Sequence, residues 1–267
     1  MPSFPLTAAR RVVLIVGVPL TLALFCWAAL SAVAFLGHAS YSVARTVAWN
    51  GGAVTVAVDT GDLTVSPSKD NNVHVSGVVQ YSVLKPMLHV SSSAAGVTVN
   101  LLCPPVLAGI CSVDLVVTVP AQAVVVASSD SGDVTASNLT GATLSTDSGD
   151  LTATGLLGSA HFHTDSGGIT ATLLGASQVT ASADSGSITL NFVEVPQRVT
   201  VQADSGSVTL VVPAQGTAYN IGAHTDSGTT TIGVPTDPAS TNNISISVDS
   251  GDVHVEPNGN GLSRYTA

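Results

Sequence analysis

The sequence predicts an all-β protein: a single-stranded β-solenoid, or parallel β-helix, with two short strands per coil, preceded by one N-terminal transmembrane helix. Three observations predict it. A tetrad that starts Asp-Ser-Gly returns seven times from Asp130 onward, at steps of 17, 18, 19, 20, 22 and 23 residues, and self-similarity at such a period marks coils that stack on one another. Apolar and polar residues alternate on both sides of each tetrad, the signature of strands with one buried face. Hydrophobic residues make up 45% of the chain but aromatics only 4%, so Val, Ala, Leu and Ile must fill the core, which suits a thin pleated interior better than a thick globule.

Residues 12–36 form an uncharged run of 25 residues behind Arg10 and Arg11. At about 1.5 Å per residue, a helix of that length would cross a hydrocarbon layer about 30 Å thick, and the two arginines would keep residues 1–11 in the cytoplasm. The expectation is a single-pass protein of the cell membrane, with everything after Gly37 extracellular. Ala32-Val33-Ala34 also reads as a cleavage site, so a cleaved signal peptide is the competing reading. Cys26 lies inside the run, and bulky Phe25 before it does not fit a lipid-attachment signal.

Beyond the run, five basic residues (Arg45, Lys69, Lys85, Arg198, Arg264) stand against 17 acidic ones, a formal charge of −12. Such a surface argues against nucleic acid as a partner. Residues 37–52 are expected to form a stalk and residues 53–122 an irregular N-terminal β region. There Val54, Val56 and Val58 alternate into an eighth tetrad, Asp59-Thr60-Gly61-Asp62. The strand-like runs that follow lack the tetrad, and either further coils or antiparallel hairpins fit them. Residues 123–256 are the regular repeats, and 257–267 a C-terminal tail.

Within a repeat, with the first Asp as position zero, positions −5, −3, −1, +4 and +6 face inward, as in Val199, Val201, Ala203, Val208 and Leu210. Gly at +2 supplies the positive φ of a tight turn. Position +5 forms an outward column of Thr135, Thr152, Thr170, Thr189, Thr209, Thr231 and His254. A second turn, near Gly141, Gly158, Gly175, Pro196, Pro213 or Pro235, absorbs the varying coil length.

Val113-Asp114-Leu115-Val116-Val117-Thr118-Val119-Pro120-Ala121, followed by repeated strand, Ser-Gly-Asp turn and strand, resembles the bacterial putative-adhesin family of β-strand-repeat cell-surface proteins, a domain of unknown function, over 54–256. The resemblance implies a β-solenoid and a surface role. It supplies no catalytic residues to carry over.

The tetrads themselves read first as structural turns. Carboxylates stacked about 4.8 Å apart repel, by about 0.9 kcal/mol in bulk water, and a cation would relieve this. Asp130, Asp133, Asp147 and Asp150, the densest group, are therefore the candidate Ca²⁺ site, since calcium takes six to eight oxygens; no other cofactor is expected. Serine beside aspartate does not make a nucleophile without a base and an orienting third group, so no enzyme is expected. His161, His163 and Asp165 should point outward from one strand, opposite Thr143, Ser145, Thr180 and Ser182, as a surface group without metal. Cys103 and Cys111 flank a Pro104-Pro105 bend and are the economical disulfide pair of an external region.

These readings converge on a membrane-anchored extracellular solenoid that acts as a non-catalytic adhesion or interaction surface, with cell-wall polymer or another surface protein as partner. An envelope-stress or signalling accessory working with a membrane partner is the alternative, and a weak calcium-binding surface protein the second.

Overall fold

The structure is a computed structural model, and it describes residues 16–36, 39–82, 84–104 and 111–258. Helix α1 spans Val18–Leu36, 19 residues. Among the described residues no helix is long and apolar enough to cross a membrane. This overturns the expected transmembrane span at 12–36, and with it the single-pass placement in the cell membrane. Residues 1–11 and most of the expected tail lie outside the described residues.

The rest is strand. Alternating inward residues form β1 (Ala39–Ala48), β2 (Ala53–Pro67), β3 (Asn72–Tyr81), β4 (Met87–Ser93), β5 (Gly96–Leu102) and β6 (Cys111–Val119). The tetrad repeats then give β7 (Val125–Ser131), β8 (Val134–Ser137), β9 (Gly141–Ser148), β10 (Leu151–Thr154), β11 (Leu157–Ser166), β12 (Ile169–Ser185) and β13 (Ile188–Phe192). After them come β14 (Arg198–Ser205), β15 (Val208–Val212), β16 (Asn220–Ser227), β17 (Thr230–Ile232), β18 (Asn243–Ser250) and β19 (Val253–Pro257). The strand before each tetrad lies in one sheet and the strand after it in the other, and both sheets are parallel through the stack.

The layers do not follow chain order throughout. β2 crosses one corner as a continuous strand, and its two halves pair with β5 and β6 on one side and with β7 and β8 on the other. The Asp59 coil therefore stacks directly on the Asp130 coil. At the far end, β18 and β19 insert between β14/β15 and β16/β17. The Asp226 coil, penultimate in sequence, is last in space. Where the repeat lengths suggest seven coils stacked in chain order, the described residues form nine parallel layers, with β5/β6 first and β16/β17 last.

The interior is a continuous column of small and branched side chains. Val56, Ala127, Leu144, Phe162, Ala181, Val201 and Ile246 occupy one inward position, each no more than 2% exposed. The two ends differ. Antiparallel β3 covers β6, β1 covers β3, and β4 covers β5, whereas β16 and β17 have no strand beyond them among the described residues.

Candidate interaction surface

The tetrad corner is held by three interlocking columns. Gly at +2 has φ between 124° and 149° in all eight copies, the region where L side chains are strained. The coils also approach so closely there that a Cβ on Gly149 would strike the Gly132 carbonyl, and one on Gly251 the Gly206 carbonyl. Beside this column, hydroxyls at −1, buried at Ser129 and Thr146 and half-buried at Thr225, donate to the corner carbonyls of the neighbouring coil: Ser129 to Gly61 O at 3.1 Å, Thr146 to Gly132 O at 3.0 Å and Thr225 to Gly251 O at 2.9 Å. The third column is position +3. The Asp62 carboxylate accepts the Asp133 N–H (3.1 Å), Asp133 accepts that of Asp150 (2.8 Å), Asp150 that of Gly168 (2.7 Å), and Asp252 that of Thr229 (2.8 Å). Ser187 and Ser207 do the same with their hydroxyls, for Ser207 and Asp252. Where it is Asp or Ser, the fourth tetrad residue is thus a cap for the next coil, which explains why Asp and Ser interchange there.

Asp130 and Asp147 lie in one column and Asp133 and Asp150 in the next, with the two latter carboxylates engaged as caps. Asp59 completes the first column on the other side of Asp130. Burial, then the neighbouring Asp147 and Asp59 charges, pushes the Asp130 carboxyl above its ordinary value. The Asp59 carboxylate also accepts the Cys103 N–H at 2.8 Å, tying the corner to the strand that carries the disulfide. Among the described residues, no three His, Cys, Asp or Glu side chains are grouped to hold a metal ion. Cys103 and Cys111 are disulfide-bonded.

On the outer face of the first sheet, position −2 carries Ser145, His163, Ser182 and Gln202 on successive strands. His163 meets Ser182 through Nδ1 at 2.9 Å and Asp165 through Nε2 at 3.1 Å. The repeat alignment sets Ser182 of the next coil opposite His163, and the structure joins the two and Asp165 into a Ser-His-Asp chain. Acyl transfer also needs preorganised donors for an oxyanion. Here β12 is paired on both sides, which commits its backbone N–H groups to the sheet, and the imidazole and carboxylate are both about half exposed (52% and 53%). The arrangement is suited to holding the outer surface in register. His161 sits two residues earlier on the same face, opposite Thr143 and Thr180. His224 repeats the pairing with Asp226 at 2.8 Å. On the other sheet the threonines Thr135, Thr152, Thr170, Thr189 and Thr209 stand in register along consecutive layers.

A model of the family described as Toastrack DUF4097 matches residues 54–256. No curated protein matches the chain. Among solved structures, a putative adhesin from Bacteroides fragilis is similar at TM-score 0.55 and 15% identity, over 81% of this chain and 97% of that one. A putative cell adhesion protein from Clostridium sporogenes (TM-score 0.34, 11% identity, 82% and 100% covered) and a putative adhesin from Parabacteroides merdae (0.26, 13%, 81% and 95%) are more distant. The first of the three shows the same fold.

Proposed function

We propose, from the premise that the chain belongs to the Toastrack DUF4097 family, that it acts as a non-catalytic adhesion or interaction surface. The observation that carries this is the register of the outer faces. Position zero is Asp in every tetrad coil, +5 is Thr in most, and −2 carries hydroxyl, amide or imidazole groups in all but the Asp59 coil, each column repeated at the strand spacing of about 4.8 Å. A rigid, regularly spaced polar lattice suits a partner that is itself repetitive, such as a cell-wall polymer, or the face of another surface protein. The likeness in fold to the Bacteroides fragilis protein described as an adhesin is compatible with this role. Sedimentation of the purified chain with wall fragments and with intact cells tests it. Retention on either, lost when the outward columns are replaced, is the expected result; no retention on walls or cells, and unchanged cell attachment after deletion, overturns the reading.

A further inference from the structure

The altered layer order at the far end builds a feature that the chain order alone does not. Because β18 lies between β14 and β16, the outward residues Arg198, Asn243 and Asn220 fall in one row, and Thr200, Ser245 and Gly222 in the next. These six line a groove of about 410 Å³. Gly222 opens it: a Cβ there would meet nothing within 4 Å, so the notch is free space on the terminal strand.

The chemistry of the groove is unlike the rest of the surface. Arg198 is the one Lys or Arg between Lys85 and Arg264 in a chain with 17 acidic residues. Among the described residues it has no carboxylate partner. The amides beside it are held in place: Asn220 Nδ2 donates to Asn243 Oδ1 at 3.1 Å, and Asn243 Nδ2 donates to the Thr241 carbonyl at 2.9 Å. A guanidinium binds a carboxylate through two parallel hydrogen bonds. Fixed amides and the hydroxyls of Thr200 and Ser245 offer donors and acceptors for a ligand rich in hydroxyl groups, with little ordering left to do on binding.

We infer that this groove is a binding site for an acidic saccharide, with Arg198 taking the sugar carboxylate and the Asn, Thr and Ser side chains taking its hydroxyls. The inference rests on the interaction-surface reading and names its ligand class. The groove lies on the outer face of β14, β18 and β16, where side-chain amides, hydroxyls and a guanidinium are presented rather than backbone groups, which favours a ligand held through hydroxyls.

The test titrates the full chain with a tetramer of galacturonic acid, its methyl-esterified neutral form and a triglutamate peptide, followed by calorimetry. Binding of the acidic tetramer, weakened about tenfold or more by esterification and by Arg198→Ala, is expected. Gly222→Val fills the notch and should abolish binding while leaving the melting temperature unchanged or slightly raised, since a β-branched residue suits a strand. No binding of the tetramer, binding unaffected by Arg198→Ala, or equal and Arg198-dependent binding of triglutamate each overturns the inference. Wall and cell sedimentation of the same variants separates the two levels. Retention of wild type on walls or cells without tetramer binding removes the saccharide groove and leaves the surface role standing. Loss of both removes both.

Discussion

The two ends of the solenoid face the same problem and meet it differently. At the first layer, the inward side chains Val99, Leu115 and Val117 are no more than 1% exposed because antiparallel strands lie over them. Tyr41 and Tyr81 pack edge to face there at 6.0 Å, and Lys85 sits 4.2 Å over the Tyr41 ring. At the last layer no strand is added among the described residues, and the coil itself changes. Position +4 is Val, Leu or Ile in the other tetrad coils but Thr230 here, and Ile232 at +6 is 40% exposed. One end is covered; the other is made polar and short, which blunts an open sheet edge against pairing with other chains.

The largest contrast should come from truncating equivalent inward residues. Leu115→Ala should lower unfolding free energy by about 2–5 kcal/mol, and Ile232→Ala by less than about 1 kcal/mol, because only the first leaves a buried cavity. Equal losses in denaturant melts would mean that the last layer is covered in solution. Next in size is the disulfide, which closes a loop with a sequence separation of 8 residues and should contribute about 2–3 kcal/mol through the unfolded chain. Cys103→Ser with Cys111→Ser should speed hydrogen exchange in β5 and β6 while β16 and β17 keep their rates. Thr230→Val should change stability by less than about 1 kcal/mol. It should, however, promote concentration-dependent self-association in light scattering, because it restores an apolar face to an open edge.

The smallest effect concerns Asp130, flanked by Asp59 and Asp147 near the covered end. Its folded carboxyl titrates above the unfolded value, so the folded state binds the proton more readily. Its contribution to stability is therefore fully present below the ordinary carboxylate range and is lost as pH rises through the raised value. Asp130→Asn should remove that loss and gain about 0.3 kcal/mol at neutral pH after solvent screening, read as a melting-temperature difference from wild type that grows between pH 3 and pH 7.

What could be read from sequence was whatever is local to a coil. Alternation around Asp184-Ser185-Gly186-Ser187 sets its strands and corner because each inward residue is fixed by its own neighbours in the chain. The order of layers is not local. Nothing in Val54 to Val65 states that this coil sits against Val125 to Ala136 with 71 residues between their aspartates, and so Asp59 was absent from the aspartate group. Thr230 was a signal in plain view, a hydroxyl at an otherwise aliphatic position. It makes sense only once its coil is known to be last in space. The apolar run at 12–36 was legible as composition, but composition does not fix how much of a run forms one long apolar helix, and among the described residues no helix is long and apolar enough to cross a membrane.

The exchange of layers at both ends also orders assembly in time. A chain emerging from the ribosome makes β2 early, yet its halves gain their neighbours only when β5 to β8 have appeared. At the other end β16 and β17 must wait beside an empty slot until β18 and β19 arrive. β18 and β19, later in the chain than the strands on either side of them, therefore act as a keystone. Winding can proceed coil by coil through the middle, but the C-terminal end closes only when translation has delivered Pro257, and a nascent chain stopped twenty residues short would expose two unmatched fronts rather than one frayed tip.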